Sequence, residues 1–224
     1  VSVIITRDET IGYGAFMDED RLTSIILSST LEVIKSRAFE DVVSLPTITI
    51  PQNIHDIGTY AFNNDVLLQT VIFTNVASNA SLIQIKEGTF RNNYVLQNII
   101  IPNSVTSIGV VAFENCNSLT TLTAANIDYL VPDSVTAIGH HAFYHNISLQ
   151  TVVIPDSVST IGVGAFAKSY NITTMTLPFV GGHRYTEVSK ESYFGYIFDD
   201  ATNNLGEYSY DDPNDNTDRY YGLE

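Results

Sequence analysis

A phenylalanine recurs along the chain at a nearly constant interval, and this repeat restricts the fold more than any other feature of the sequence. The spacings between successive members are 23, 23, 28, 23, 30 and 23 residues, so insertions of five and seven residues explain the two long intervals. Alanine precedes every Phe except the fourth, which follows Thr89, and isoleucine stands five residues before each. The seven positions are Phe16, Phe39, Phe62, Phe90, Phe113, Phe143 and Phe166. Seven copies in register predict stacked coils that share their buried faces.

Each copy contains one short predicted strand. Apolar residues lie nine and eleven residues after each Phe, as Val152 and Ile154 do after Phe143, and they alternate with residues such as Thr151. This period-2 pattern is typical of a strand. Prolines such as Pro155 end it, the Ile-Gly step that follows predicts a bend or a close backbone approach, and the Ala-Phe step predicts a short helical or 3₁₀ turn. Parallel strands of neighbouring coils are then expected to form one continuous sheet.

The unit Ile-Gly-x2-Ala-Phe-x5-Leu-x2-Ile-x-Ile-Pro-x2-Val, clearest between Ile138 and Thr160, resembles the BspA-like, or Treponema pallidum type, class of leucine-rich repeats. The resemblance covers residues 1–178 and implies a leucine-rich repeat solenoid of about seven coils, a β-rich α/β horseshoe-like superhelix. It also implies an extracellular or cell-surface protein that adheres to host or neighbouring-cell proteins. Cys116 occupies a position where this class often has a buried cysteine, so we interpret it as a packed structural residue.

Composition excludes several function classes. Ten Lys and Arg residues stand against 25 Asp and Glu, which gives a formal charge of −15 without any basic cluster that could neutralise nucleic-acid phosphates or an anionic membrane surface. No run of 18 apolar residues predicts membrane insertion, and a single cysteine excludes an intrachain disulfide. The sequence lacks Gly-x-Ser-x-Gly, Gly-x4-Gly-Lys and His-Glu-x2-His fingerprints, so we predict neither enzymatic activity nor a cofactor.

The outward strand positions form two uncharged rows, which we predict to be the contact surface for a protein partner on the concave face of the solenoid. Hydroxyl and aliphatic groups in such rows offer hydrogen bonds and apolar contact. The alternative is that Thr and Ile are simply favourable strand residues, and that the chain is a structural spacer block in a long tandem-repeat surface protein. The first row comprises Ser24, Thr47, Thr70, Asn98, Thr121, Thr151 and Thr174, and the second comprises Ile26, Thr49, Ile72, Ile100, Thr123, Val153 and Thr176.

The repeat stops after Pro178, and residues 179–224 differ from it in composition. They contain ten acidic residues, three basic residues and seven of the 13 tyrosines. We interpret this segment as an aromatic, acidic C-terminal cap and tail, or as the junction to a next block, because the open end of a solenoid must be covered.

Two groups of residues are candidate metal ligands, and a structural interpretation outweighs both. The histidines His140, His141 and His145 include an i,i+4 pair but occupy variable turn positions of the repeat. The alternating oxygens of Asp212, Asn214, Asn216 and Asp218 resemble part of a calcium loop, although Thr217 stands where that loop needs glycine.

Overall fold

The computed structural model describes residues 1–74, 82–120, 131–184 and 194–199. It confirms the predicted solenoid of about seven coils built from parallel strands with almost no helix. Each coil is numbered here by its Phe, from Phe16 in coil one to Phe166 in coil seven. In the described ranges the helical element is the 3₁₀ helix Phe194–Phe198, which lies after the last coil.

The predicted strands of the coils, where they are described, form what we call the front of the solenoid. Its inward residues, such as Ile48 and Val71, are buried, while the intervening Thr49 and Ile72 are exposed, as the period-2 pattern predicts. The front strands are β1 (Ser2–Ile4), β3 (Ser24–Ile26), β5 (Thr47–Ile50), β7 (Thr70–Phe73), β9 (Asn98–Ile99), β12 (Thr151–Val153) and β14 (Thr174–Thr176).

A second, two-residue strand in each coil ends at the repeated isoleucine and forms the back. The sequence pattern did not indicate it, because a single buried residue carries no alternation to detect. Behind it the repeated glycine makes the predicted close approach: a Cβ on Gly58 would lie 2.2 Å from the backbone nitrogen of Ser36. The back strands are β2 (Thr10–Ile11), β4 (Val33–Ile34), β6 (Asp56–Ile57), β8 (Gln84–Ile85), β10 (Ser107–Ile108), β11 (Ala137–Ile138) and β13 (Thr160–Ile161).

Among the described residues, the expected continuous sheet is interrupted between β3 and β5 at the front and between β6 and β8 at the back. The paired front strands are β1-β3, β5-β7-β9 and β12-β14, and the paired back strands are β2-β4-β6 and β8-β10-β11-β13. The predicted front strand of coil five, at residues 121–125, lies outside the described residues. The break between β3 and β5 has a chemical cause. Gln69 and Thr173 donate backbone N–H groups to the preceding coil at distances of 2.9 Å, but the equivalent residue of coil two is Pro46, which has no N–H.

The repeated phenylalanines form a single column through the interior. Successive rings lie 5.1–5.5 Å apart between centroids and within 18° of parallel, from Phe16 to Phe166. All are fully buried except Phe16, which has a neighbouring ring on one side. Offset stacking of this kind adds to the apolar burial of each ring, so the column supplies a large part of the interior packing.

The Ala-Phe step lies in a turn rather than the predicted helical or 3₁₀ segment. The residues two before and two after each Phe have left-handed backbones, with φ between +48° and +63°. Three of the residues that lie two positions before a Phe are glycines, but Arg37, Tyr60 and Val111 occupy this position in other coils. The stacking of the coils, and not local preference alone, therefore imposes the turn. These left-handed residues interrupt any helix.

The described residues after Pro178, which are 179–184 and 194–199, include several that lie against coil seven. Thr160 of β13 forms an antiparallel bridge with His183, and the Ile161 N–H donates to the Gly182 carbonyl at 2.7 Å. The Phe166 N–H donates to the carbonyl of Ile197, a fully buried residue of the 3₁₀ helix, at 2.9 Å. These bonds therefore occupy backbone N–H groups of coil seven that would otherwise bond to a further coil.

Candidate protein-binding face

The predicted rows lie on the outward side of the front strands. Where neighbouring front strands pair, the members face one another in register, as Thr47 does with Thr70 and Thr49 with Ile72. Thr151 is likewise opposite Thr174, and the next members of the second row pair in the same way. Of the described members, Thr70, Ile100 and Val153 are half-buried and the others are exposed. The predicted residues Thr121 and Thr123 lie outside the described residues.

Both rows extend further toward the N-terminus than the sequence prediction placed them. Ser2 and Ile4 of β1 are exposed and pair in register with Ser24 and Ile26. The prediction omitted them because the repeat was counted from its Phe, and β1 precedes the first one. Exposed apolar surface is substantial here, with relative exposures of 63% for Ile4 and 56% for Ile26.

A groove of about 430 Å³ lies where β3 and β5 fail to pair. Ile26, Thr49 and Pro51 contribute to its walls, together with Leu27, Gln52 and Thr74. None of these side chains is charged. The sequence signal that could have located it is Pro46, whose missing N–H leaves the two strands unpaired.

The uncharged surface is wider than the two rows. From the fourth to the twelfth residue after each Phe, coils two to seven contain no Asp, Glu, Lys, Arg or His. We call this surface the neutral belt; where it is described, it comprises the front strands β5, β7, β9, β12 and β14 and the flank that leads into them. Its segments are residues 43–51, 66–74, 94–102, 117–125, 147–155 and 170–178.

The flank of the neutral belt carries exposed apolar and aromatic side chains. Tyr94 is 40% exposed and Tyr170 is 76% exposed, each four residues after its Phe. Ile147 occupies the same position in coil six, and Leu67 lies one residue further along in coil three. Tyrosine supplies a large rigid contact area together with a hydroxyl, and it is enriched in the centres of protein interfaces.

Charged side chains concentrate on the turns and the back, where many are paired with each other. Lys86 Nζ lies 2.5 Å from Asp56 Oδ1, and Arg91 donates to both carboxylate oxygens of Glu114 at 3.0 and 3.2 Å. These pairs link one coil to the next. Because these ion pairs lie outside the neutral belt, a partner that binds to the belt need not desolvate them.

Cys116 is fully buried, as predicted, and belongs to a line of polar side chains beside the Phe column. Its Sγ donates to the Phe90 carbonyl of the preceding coil at 3.1 Å, and burial raises the pKa of the thiol. Asn93, Asn146 and Ser169 occupy the same position in other coils and likewise donate to the Phe carbonyl of the preceding coil, at 2.8, 3.0 and 3.0 Å. We call this line the interior ladder. Each of these four side chains thus connects its coil to the coil before it.

The three candidate histidines have separate contacts. His140 Nδ1 accepts the Val163 N–H at 3.0 Å, His145 Nδ1 lies 2.9 Å from Asn115 Oδ1, and the His141 ring lies edge-on to Tyr144. No group of three His, Cys, Asp or Glu residues suited to a metal occurs in the described ranges. The calcium candidates Asp212, Asn214, Asn216 and Asp218 lie outside those ranges. Among described helices, none combines the length and apolarity of a membrane span.

Comparison with known proteins gives one family match and several similar folds. The family model described as the BspA type leucine rich repeat region matches residues 9–130 and 125–194, with six copies. No curated protein sequence matches the chain.

Three solved structures show the fold. A leucine-rich repeat protein from Eubacterium ventriosum superposes with a TM-score of 0.65 at 18% identity, and the T. pallidum leucine-rich repeat protein with a TM-score of 0.62 at 23% identity. The pneumococcal vaccine antigen PcpA gives a TM-score of 0.58 at 22% identity. The matches cover 85%, 92% and 79% of this chain, and 46%, 88% and 50% of the respective relatives. The chain thus spans about half the length of two of them.

Proposed function

Because the chain belongs to the BspA-type leucine-rich repeat family, we propose that it is a non-catalytic protein-binding module of a cell-surface or secreted protein. Its partner is a protein, such as a host extracellular-matrix protein or a surface protein of a host or neighbouring cell. The module adheres to that partner through the outward side of its front strands. The pneumococcal relative, described as a vaccine antigen, supports a location at the cell surface.

The neutral belt is the observation that carries this proposal. In a chain of net charge −15, a surface that runs through six coils without a charged residue is a marked departure from the rest of the molecule. Depletion of charge with exposed aliphatic and tyrosine side chains is the composition of the centre of a protein interface. In-register hydroxyls such as those of Thr47 and Thr151 can bond to the partner's polar groups.

Binding should be measured in a solid-phase assay with the purified chain and immobilised fibronectin, laminin and collagen. The variant T49K/I72K places two charges in the middle of the second row, on residues that face each other in register. We expect it to lose at least about tenfold in affinity, since burying an unpaired charge in an interface costs more than 1.4 kcal/mol.

The matched control is T10K/Q84K, which adds the same two charges on exposed positions of the back strands. A third variant, Y94K, tests the flank. Far-UV circular dichroism verifies that all variants fold. Saturable binding that survives T49K/I72K, or that falls equally in the control, would contradict the proposal.

The second candidate function is a structural spacer block in a longer surface protein. Side-chain hydrogen bonds connect neighbouring coils: the hydroxyls of Ser134 and Ser157, for example, donate to carbonyls of the preceding coil at 2.6 and 2.7 Å. Many such bonds favour a stiff unit. If the chain is a spacer, the fully folded chain should show no saturable binding to any protein of the panel.

A further inference from the structure

The interior ladder contains an acid, Asp65 of coil three. Its side chain is fully buried, in the position that Asn93, Cys116, Asn146 and Ser169 occupy in later coils. Each of those four donates a hydrogen bond to the Phe carbonyl of the coil before it. A carboxylate has no hydrogen to donate, so Asp65 can match them only as a carboxylic acid.

Ser169 shows the full pattern of bonds at this position. Its hydroxyl accepts the Asn146 N–H of the preceding coil at 3.0 Å and donates to the Phe143 carbonyl of that coil at 3.0 Å. Asp65 Oδ1 makes the first of these bonds, since it accepts the Val42 N–H at 2.8 Å. Asp65 Oδ2 is buried and has no hydrogen-bond partner among the described residues. The other members of the ladder contact the Phe carbonyl of the preceding coil, and the carbonyl that corresponds to it for Asp65 is that of Phe39.

We propose that Asp65 is held as a neutral carboxylic acid, that its Oδ2–H donates to the Phe39 carbonyl, and that ionisation of this acid weakens the contact between coils two and three. The Phe39 carbonyl already accepts the Val42 N–H at 3.2 Å, whereas without a proton Asp65 Oδ2 would remain a buried acceptor with no hydrogen bond, which is costly. With the proton in place, the acid makes both bonds to coil two that Ser169 makes to coil six.

The surroundings of Asp65 also favour the neutral form. Burial raises its pKa well above the ordinary value, the Val42 N–H lowers it, and the nearby charges of Asp41 and Glu40 raise it further. Glu40 forms an ion pair with Arg37 at 3.2 Å.

On the following coil the charged side chain of the same turn is Arg91, which is bound to Glu114. No lysine or histidine contributes to the shift in the pKa of Asp65.

The direction of the pH dependence follows from the raised pKa. Asp in the unfolded chain ionises near pH 4, whereas the folded chain keeps the proton to higher pH. The stability contributed by the protonated acid is complete below about pH 4 and is lost as the pH rises through the folded pKa. Within that window the unfolding equilibrium constant increases by up to about tenfold for each pH unit.

The test is thermal unfolding of the wild type and D65N between pH 4 and 8. Asparagine has a permanent donor and already serves at positions 93 and 146 of the ladder. We expect the Tm of D65N minus that of the wild type to increase with pH, by about 3–5 °C per pH unit within the window. The matched control is D133N, which changes an exposed Asp in the same way and should give a constant difference.

A direct measurement keeps the proposal testable even if D65N folds poorly. The side-chain carboxyl carbon of Asp65 should keep the chemical shift of a protonated acid in NMR spectra of the wild type at pH values where exposed Asp residues are ionised. Titration of this carbon near pH 4, or a Tm difference between D65N and the wild type that is independent of pH, would overturn the proposal.

Discussion

The Phe column should make the interior far more sensitive to truncation in the middle than at its first ring. Phe113 is fully buried between two rings whose centroids are each 5.4 Å away, whereas Phe16 is partly exposed and has one ring neighbour at 5.1 Å. Burying a Phe side chain stabilises by about 1.5–3 kcal/mol, and each aromatic contact adds about 0.5–1.5 kcal/mol. We therefore expect F113A to cost about 3–5 kcal/mol, including the cavity it leaves, and F16A about 1–2 kcal/mol.

Urea unfolding followed by far-UV circular dichroism measures both values. F113L separates the ring contacts from apolar burial, because leucine retains most of the apolar volume, and it should cost about half as much as F113A. The reasoning is refuted if F16A destabilises the chain as much as F113A, or if F113L is as damaging as F113A, since stacking and burial would then not explain the column.

Three further predictions concern single positions. Gly164 has φ of +61°, and a Cβ there would lie 2.4 Å from the His141 ring. We therefore expect G164A to lower the free energy of unfolding by about 2–4 kcal/mol, measured by thermal or urea unfolding. The control G12A should be neutral or slightly stabilising, because nothing lies within 4 Å of a Cβ at Gly12. S169A removes two bonds to the preceding coil and should cost about 1–3 kcal/mol; a variant as stable as the wild type would mean that the interior ladder contributes nothing. Burial raises the pKa of the Cys116 thiol, so Ellman's reagent should label it only upon unfolding, and rapid labelling of the native chain would contradict its buried position.

The features that could be predicted from sequence are those in which every coil repeats the same chemistry. Alternation around Val152 specified both the strand and its inward face, and the recurrent Phe specified the stacked interior. The left-handed residues could not be predicted, because Tyr60 and Val111 have no local preference for that conformation and adopt it only within the stack.

The interior ladder escaped prediction for a different reason. Asp, Asn, Cys and Ser share no obvious class, so their common position reads as variable in the sequence. Only the folded structure shows that the Asn, Cys and Ser side chains donate to a Phe carbonyl of the preceding coil. For the candidate site, alternation indicated which strand residues point outward, but the groove and the flank depend on how neighbouring coils are offset. The use of this face in binding stays a prediction.

The interior ladder also has a direction. Its side-chain donors on Asn93, Asn146 and Ser169 all reach backwards, to a carbonyl of the coil that precedes them in the chain. A coil emerging from the ribosome or from a secretion channel can therefore complete these bonds on a coil that is already formed, without waiting for later sequence. At about 5–20 residues per second, one coil of 23 residues appears every 1–5 s or so. The solenoid is thus suited to growing in step with its own synthesis, each turn serving as the template on which the next one closes.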